Sequence, residues 1–263
     1  MRLDIYLHQQ QMAKSREYAK KMIENKLVLV DGSVVTKPAF AVDGSESVEV
    51  LQELFPYVGR GGVKLERAIH SFSISVEGKT CIDIGSSSGG FVDCLLQHGA
   101  KKVYAVDCGS NQLDPKLRGR DDVVVMERFN ARYLSPSSLP EKCEIATMDV
   151  SFISQTLLYK PICSVLQPKA QLICLIKPQF ECGPRFLGKG GIVKDPKIHK
   201  KVISDVIACA AREHLYAQHL MPSPIQGGDG NSEFLVCYCF NPEQSLLCNP
   251  DQKTVDDMIQ SLF

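Results

Sequence analysis

Four ionisable residues in this sequence stand where charge is hard to tolerate: Lys64, Asp149, Lys177 and Glu233. Asp149 follows the apolar run 145–148, Lys177 follows 172–176, and Glu233 opens 234–240. Lys64 lies at the start of a helical stretch, just after Arg60-Gly61-Gly62. Charges at the ends of buried strands are expensive unless they pair. Brought together, two lysines and two carboxylates could take a proton from a weak nucleophile such as a hydroxyl, or hold the oxyanion that forms. The same four could also be a salt-bridge cluster that merely closes the core. The residues alone leave both readings open.

A second constellation lies upstream. The run Asp83-Ile84-Gly85-Ser86-Ser87-Ser88-Gly89-Gly90-Phe91 follows an apolar strand and opens a helix. Small residues there let backbone approach a ligand. Asp107, at the end of the next strand, is placed to accept ribose hydroxyls. The loop is not G-x-G-x-x-G and carries no G-K-[ST] phosphate cradle. An adenosine ligand without a dinucleotide fingerprint favours S-adenosylmethionine. A tight turn beside a solvated Asp107 is the bland alternative.

The elements that must position these residues alternate along the chain. Strands are expected at 81–84, 103–106, 123–126, 145–148, 172–176, 217–221 and 234–240, with helices at 90–97, 153–166 and 199–213. This alternation predicts an α/β fold, a parallel sheet with helices on both faces. Ligands of such sheets bind at the carboxyl ends of the strands. An antiparallel last strand would start on that same side, so Lys64, Asp149, Lys177 and Glu233 can converge.

A smaller module precedes this fold. Leu3, Tyr6 and Leu7 have helical spacing, Ser15 offers an N-cap, and Ala19, Met22 and Ile23 repeat on a second helix. Residues 27–30, the turn Asp31-Gly32, and 47–50 read as short strands. The polar residues of the second helix include Lys14, Arg16, Lys20 and Lys21. Of 263 residues, 30 are Lys or Arg and 30 are Asp or Glu, a formal charge of zero. Yet residues 1–40 carry net +3, 41–58 carry net −4, and 177–201 carry net +5. Patches rather than totals set the field that a polyanion meets. The glycine- and lysine-rich stretch 184–193, with Lys189 and then Lys194, reads as a mobile lid or an RNA contact.

The eleven cysteines are odd in number and none has C-x-x-C spacing. Buried thiols in a reducing cytoplasm, with no zinc site, are expected. Leu235, Cys237 and Cys239 would share one strand face. No stretch approaches the ~20 apolar residues of a membrane span, and residues 1–20 have no secretory apolar core. A cytoplasmic protein is therefore expected, with no metal and no membrane contact.

Two resemblances follow from these motifs. Arg2-Leu3-Asp4, Ser15-Arg16-Glu17-x-Ala19, Val28-x-Val30-x-Gly32 and Lys37-Pro38 resemble the S-four RNA-binding domain. That family commonly has Gly where this chain has Lys26. The whole of residues 1–240 resembles the TlyA-type family of rRNA 2′-O-methyltransferases, historically called hemolysins, whose second domain is similar to the FtsJ-type methyltransferases. The resemblance rests on Arg60-Gly61-Gly62, Gly85-x-Ser87-x-Gly89-Gly90-Phe91, Glu127-Arg128-x-Asn130, Asp149-x-Ser151-Phe152-Ile153-Ser154, Lys177-Pro178-Gln179-Phe180-Glu181, Gly190-Gly191-x-Val193 and Gly230-Asn231-x-Glu233.

It implies a Rossmann-like seven-stranded methyltransferase behind a small α+β module: 1–55 the RNA-binding domain, 56–61 a linker, 62–245 the methyltransferase and 246–263 a tail. It implies Lys64, Asp149, Lys177 and Glu233 as the catalytic set. S-adenosylmethionine would lie against Asp83, Gly85, Ser86, Ser87, Gly89, Gly90, Phe91, Asp107, Asn130 and Asp149. Arg2, Lys14, Arg16, Lys20, Lys21, Arg60, Lys189 and Lys194 would meet ribosomal RNA or a ribosomal subunit. The implied target is a cytidine of large-subunit rRNA, in some relatives also one of the small subunit.

Lysine in water holds its proton to about pH 10.4. Burial and neighbouring cations oppose the ammonium and carboxylates favour it. The sequence leaves open whether Lys177 takes the hydroxyl proton or stays charged and stabilises the alkoxide. Competing functions are a non-catalytic ribosome-assembly factor, a membrane-lysing toxin, which would need an apolar or amphipathic membrane segment, and a dinucleotide-dependent dehydrogenase.

Overall fold

The computed structural model describes residues 1–51, 55–243 and 250–263, which divide into two compact units, Met1–Pro56 and Tyr57–Phe263.

In the first unit, α1 (Leu3–Gln9) and α2 (Arg16–Glu24) pack through Leu3, Leu7, Ala19, Met22 and Ile23. Ser15 caps α2 by accepting from the Tyr18 amide at 3.1 Å. β1 (Val28–Val30) pairs antiparallel with both β2 (Ser33–Val34) and β3 (Val48–Val50). Lys26 has φ +63°, so the left-handed turn that closes α2 is kept without glycine. Asn25 supports that turn by donating from Nδ2 to the Lys21 carbonyl at 2.8 Å.

The second unit opens with α3 (Gly61–Ser71), then β4 (Thr80–Ile84), α4 (Gly90–Gln97), β5 (Lys102–Val106), α5 (Pro115–Arg118) and β6 (Val123–Met126). β7 (Cys143–Met148), α6 (Tyr159–Ser164), β8 (Leu166–Ile176), α7 (Pro178–Glu181) and α8 (Pro196–Arg212) follow. The chain ends in β9 (Leu215–Pro222), β10 (Phe234–Phe240) and α9 (Gln252–Gln260). One sheet has the order β6-β5-β4-β7-β8-β10-β9, with β10 antiparallel to both neighbours. The strand order reverses at β4, which pairs with β5 on one side and β7 on the other. Doubly wound sheets open their ligand crevice at such a switch point.

Alternate residues face opposite layers. Ile82, Ala146, Leu172, Val236 and Tyr238 pack with α6, α8 and α9. Cys81, Ile145, Ile173, Leu235 and Cys237 pack with α3 and α4. The ten described cysteines are free.

Three expectations need correction. The helix expected over 153–166 is a 3-10 turn at Gln155–Leu157 followed by the short α6. Pro161 has no N–H to give residue 157 and its ring crowds that carbonyl, so one continuous helix cannot form. The stretch 56–61 is no linker: Tyr57 is buried, donates to Glu66 at 2.9 Å and lies against Gly62, while the Val58 amide donates to Asp93 at 2.7 Å. Finally, of the expected tail 246–263, residues 246–249 lie outside the described residues and 250–263 is part of the second unit. Asp251 caps α9 by accepting from the Thr254 amide, and Val255 and Ile259 enter the core.

Candidate active site

The β4–α4 loop needs glycine at two points. Gly85 has φ +81°, and a Cβ there would lie 2.6 Å from the Asp149 carbonyl oxygen. Gly89, at φ +93°, starts α4. This close approach sets the loop directly against the end of β7, and the Asp149 amide bonds the Ile84 carbonyl at 3.1 Å.

Asp83 is fully buried. Its Oδ1 accepts from Thr147 Oγ1 at 2.6 Å, and its Oδ2 has no hydrogen-bond partner. Burial pushes its carboxyl up to about 7, with Asp149 and Asp107 adding repulsion and Thr147 partly opposing. Asp107 accepts from the Ser87 amide at 2.8 Å and the Gly109 amide at 2.7 Å. Each of its oxygens keeps a second acceptor direction.

Three cavities meet here. One of about 250 Å³ is lined by Asp83, Gly85, Ser86, Ser87, Gly90 and Phe91. One of about 340 Å³ is lined by Asp107 and Asn130 and walled by Ile84, Val106, Phe129, Val150, Ile153 and Leu158. The third, about 300 Å³, holds Arg60, Lys64, Lys177, Phe180 and Glu233. Asp149 and Ser151 line all three.

The third cavity contains two ion pairs. Lys64 Nζ lies 2.6 Å from Glu233 Oε2, both residues 4% exposed. Lys177 Nζ lies 2.5 Å from Asp149 Oδ1 and donates to Ser151 Oγ at 3.0 Å. Two pairs with matched signs answer the cost of burying Lys64, Glu233 and Lys177, while Asp149 stays partly exposed. Phe152, at φ +62° and 91% exposed, stands beside the Phe180 ring at 5.1 Å. Glu181 accepts from Ser154 Oγ at 2.6 Å and the Gln155 amide at 2.9 Å, tying the end of β8 to the loop after β7.

The sequence-expected cofactor residues Asp83, Gly85, Ser86, Ser87, Gly90, Phe91, Asp107, Asn130 and Asp149 all line the first two cavities. Gly89 lines neither cavity and faces Leu113 and Leu117 instead; Asn130 Oδ1 already accepts from the Arg132 amide at 3.0 Å. The expected RNA contacts are dispersed. Arg60 borders two cavities, and Lys189 and Lys194 are exposed on their loop. In the first unit Arg2 and Arg16 both grip the buried Asp4 at 2.9 Å, and Lys20 pairs with Glu17. Lys21 is exposed, and Lys14 lies over the Tyr18 ring.

Sequence reasoning missed Thr147, Ser151 and Glu127 as working parts. Glu127 gathers the Asn111, Gln112 and Leu113 amides and Arg118, which shapes the loop after the ribose acid. Its place in Glu127-Arg128-x-Asn130 was the available signal.

Residues 57–240 match the FtsJ-like methyltransferase family, and residues 1–48 match the S4 domain. The chain belongs to the FtsJ-like methyltransferase family. Within this family its relatives are of the TlyA type. YqxC of Bacillus subtilis is 46% identical over 89% of this chain and 84% of its own. The 16S/23S rRNA (cytidine-2′-O)-methyltransferase TlyA of Mycobacterium tuberculosis is 35% identical over 89% of this chain and 88% of its own. A solved structure from Streptococcus thermophilus is 39% identical, covers 99% of this chain and 94% of its own, and superposes with a TM-score of 0.77.

The cofactor of an FtsJ-like methyltransferase is S-adenosylmethionine, and the donor set suits it. An unpartnered buried carboxylate oxygen fits the methionine ammonium, a doubly held carboxylate fits ribose hydroxyls, and the apolar walls fit an adenine ring. Asp83 is expected to make this binding pH-dependent. A folded carboxyl raised to about 7 contributes stability that is full below about pH 4 and is lost as pH rises through about 7. A cation against Oδ2 requires the ionised form, so cofactor affinity should rise between about pH 6 and 8 with release of a proton. Calorimetry at pH 6 in buffers of different ionisation enthalpy checks this: a buffer-dependent heat is expected, and Asp83→Asn should remove it. Identical heats in all buffers would contradict it.

Proposed function

We propose that this chain methylates the ribose 2′-hydroxyl of a cytidine in ribosomal RNA, with large-subunit rRNA as the expected target and the cytoplasm as the place of action. The observation that carries the reading is the buried ion pair Lys64–Glu233 beside the half-buried pair Lys177–Asp149, in a cavity that shares a wall with the cofactor cavities. Similarity to proteins named as 16S/23S and 23S rRNA (cytidine-2′-O)-methyltransferases supports the substrate.

S-adenosylmethionine supplies the electrophilic methyl group when bound. This chain's residues must then orient one hydroxyl and manage its proton. Lys177, paired with Asp149 and bonded to Ser151, presents its ammonium into the reaction cavity and favours the developing alkoxide there. Asp149 fixes that ammonium and stands at the junction with the cofactor cavities. Lys64, held by Glu233, offers a second positive charge to the incoming nucleotide. Holding the oxygen in line contributes much of the acceleration. The exposed Phe152 gives an unstacked base an aromatic face.

The test is methyl transfer from labelled S-adenosylmethionine to rRNA and to ribosomal subunits, with the product mapped by mass spectrometry. One 2′-O-methylated cytidine is expected; base methylation or no transfer would refute the reading. In the same assay, Lys20→Glu with Lys21→Glu should weaken RNA binding and flatten its salt dependence, the log–log slope falling by about 0.9 for each phosphate no longer neutralised. Cofactor affinity should not change.

A further inference from the structure

We propose that Asn231 and His199 are positioning residues that lock the arm 188–194 onto the start of β10, so that Lys189, Lys194 and the Lys64–Glu233 pair meet an RNA backbone as one rigid arrangement. The proposal rests on the rRNA reading above.

Asn231 is 1% exposed. Its Oδ1 accepts from the Val193 amide at 2.9 Å, and its Nδ2 donates to the Gly191 carbonyl at 3.1 Å. His199, in the first turn of α8, has Nε2 3.0 Å from the Val193 carbonyl and donates to it. Val193 is buried outside any strand, yet side chains from two other elements satisfy both of its backbone groups. A buried peptide needs such partners; Asn231 reaches it from 38 residues away and His199 from six.

The arm itself is a closed turn. The Gly188 amide bonds the Ile192 carbonyl and the Gly191 amide bonds the Gly188 carbonyl, each at 3.0 Å. Gly190 and Gly191 have φ +75° and +74°. Lys189 lies within this turn and Lys194 just beyond it, both exposed. On its other side, the Asn231 carbonyl accepts from the Gly227 amide at 2.9 Å, and Gly228 and Asp229 line the reaction cavity. Asn231 therefore joins three things: the cationic arm, the turn that lines the cavity, and the lead-in to β10 that carries Glu233 two residues later. The His199 ring packs on Phe234 at 5.5 Å, which braces the same strand. The stretch 184–193 is thus not free throughout, since residues 191–193 are anchored.

A pre-ordered pair of lysines spares the entropy of fixing them on RNA, worth about tenfold in affinity. The experiment uses the full chain with Asn231→Ala, Asn231→Asp and Lys189→Gln/Lys194→Gln, alone and combined. In Asn231→Ala, amides 189–193 should exchange hydrogen faster. KM for rRNA should rise about tenfold while kcat stays within about threefold and cofactor affinity is unchanged. Neutralising the lysines should cost less in the Asn231→Ala background than in the wild type. Asn231→Asp, which can accept from Val193 but not donate to Gly191, should fall between. Faster exchange with unchanged KM and additive lysine effects would reduce Asn231 to a structural staple and overturn the proposal, as would unchanged exchange. If Asn231→Ala does not fold, His199→Gln is compared with His199→Leu: the amide can still donate to Val193, so only Leu should raise KM. Absence of methyl transfer by the wild type would instead count against the rRNA reading, while exchange and RNA-binding measurements still judge the anchor.

Discussion

Lys177→Ala is expected to lower the rate of 2′-O-methyl transfer by at least about 10²–10³-fold, the cost of removing a preorganised charge from a reaction centre. S-adenosylmethionine binding should survive. Lys177 approaches the cofactor cavities as a cation, so deleting it removes repulsion toward a sulfonium rather than a contact with it. Equilibrium dialysis for the cofactor and single-turnover kinetics for the methyl group separate the two effects. Lys177→Arg adds a mechanistic division. Guanidinium keeps the charge near Asp149 but does not give up its proton. Partial activity in the arginine variant indicates electrostatic support of the alkoxide, and none indicates proton transfer. Normal turnover by Lys177→Ala would remove Lys177 from the chemistry.

The second large effect is on stability. Lys64→Ala leaves the Glu233 carboxylate buried without its partner, a loss of about 3–5 kcal/mol. For a unit of this size that is a fall of roughly 10 °C in melting temperature. Lys64→Met combined with Glu233→Leu removes both charges, and most of the stability should return because desolvation no longer has to be offset. The double variant should nevertheless stay inactive. Recovery of methyl transfer together with stability would mean that the pair only closes the core, the bland alternative that the sequence left open.

Much of the frame was legible because its signals are local. Mostly apolar runs of strand length marked six of the seven strands of the large sheet, 217–221 being the more polar exception, and the charges at their ends placed Asp149, Lys177 and Glu233 at one edge. The break before α6 was less visible, since Leu158, Ile162 and Val165 have helical spacing and only Pro161 opposes it. The α9 helix had a readable stripe in Val255, Met258, Ile259 and Leu262 but matched no motif. Partnerships were the real gap. Periodicity places a residue on a face, but it does not say that Asp83 will bond Thr147, that Lys177 will bond Ser151, or that Arg2 and Arg16 will share Asp4. Such pairings depend on side-chain reach, in the first two cases between elements dozens of residues apart.

The short backbone segment from Asp149 to Ser151 walls all three cavities. A nucleotide that shifts this segment changes the fit of the cofactor, and a cofactor that shifts it changes the fit of the nucleotide. By thermodynamic linkage the two changes are equal in factor and sign, whichever ligand arrives first. Any such shift would make occupancy of one site information available at the other.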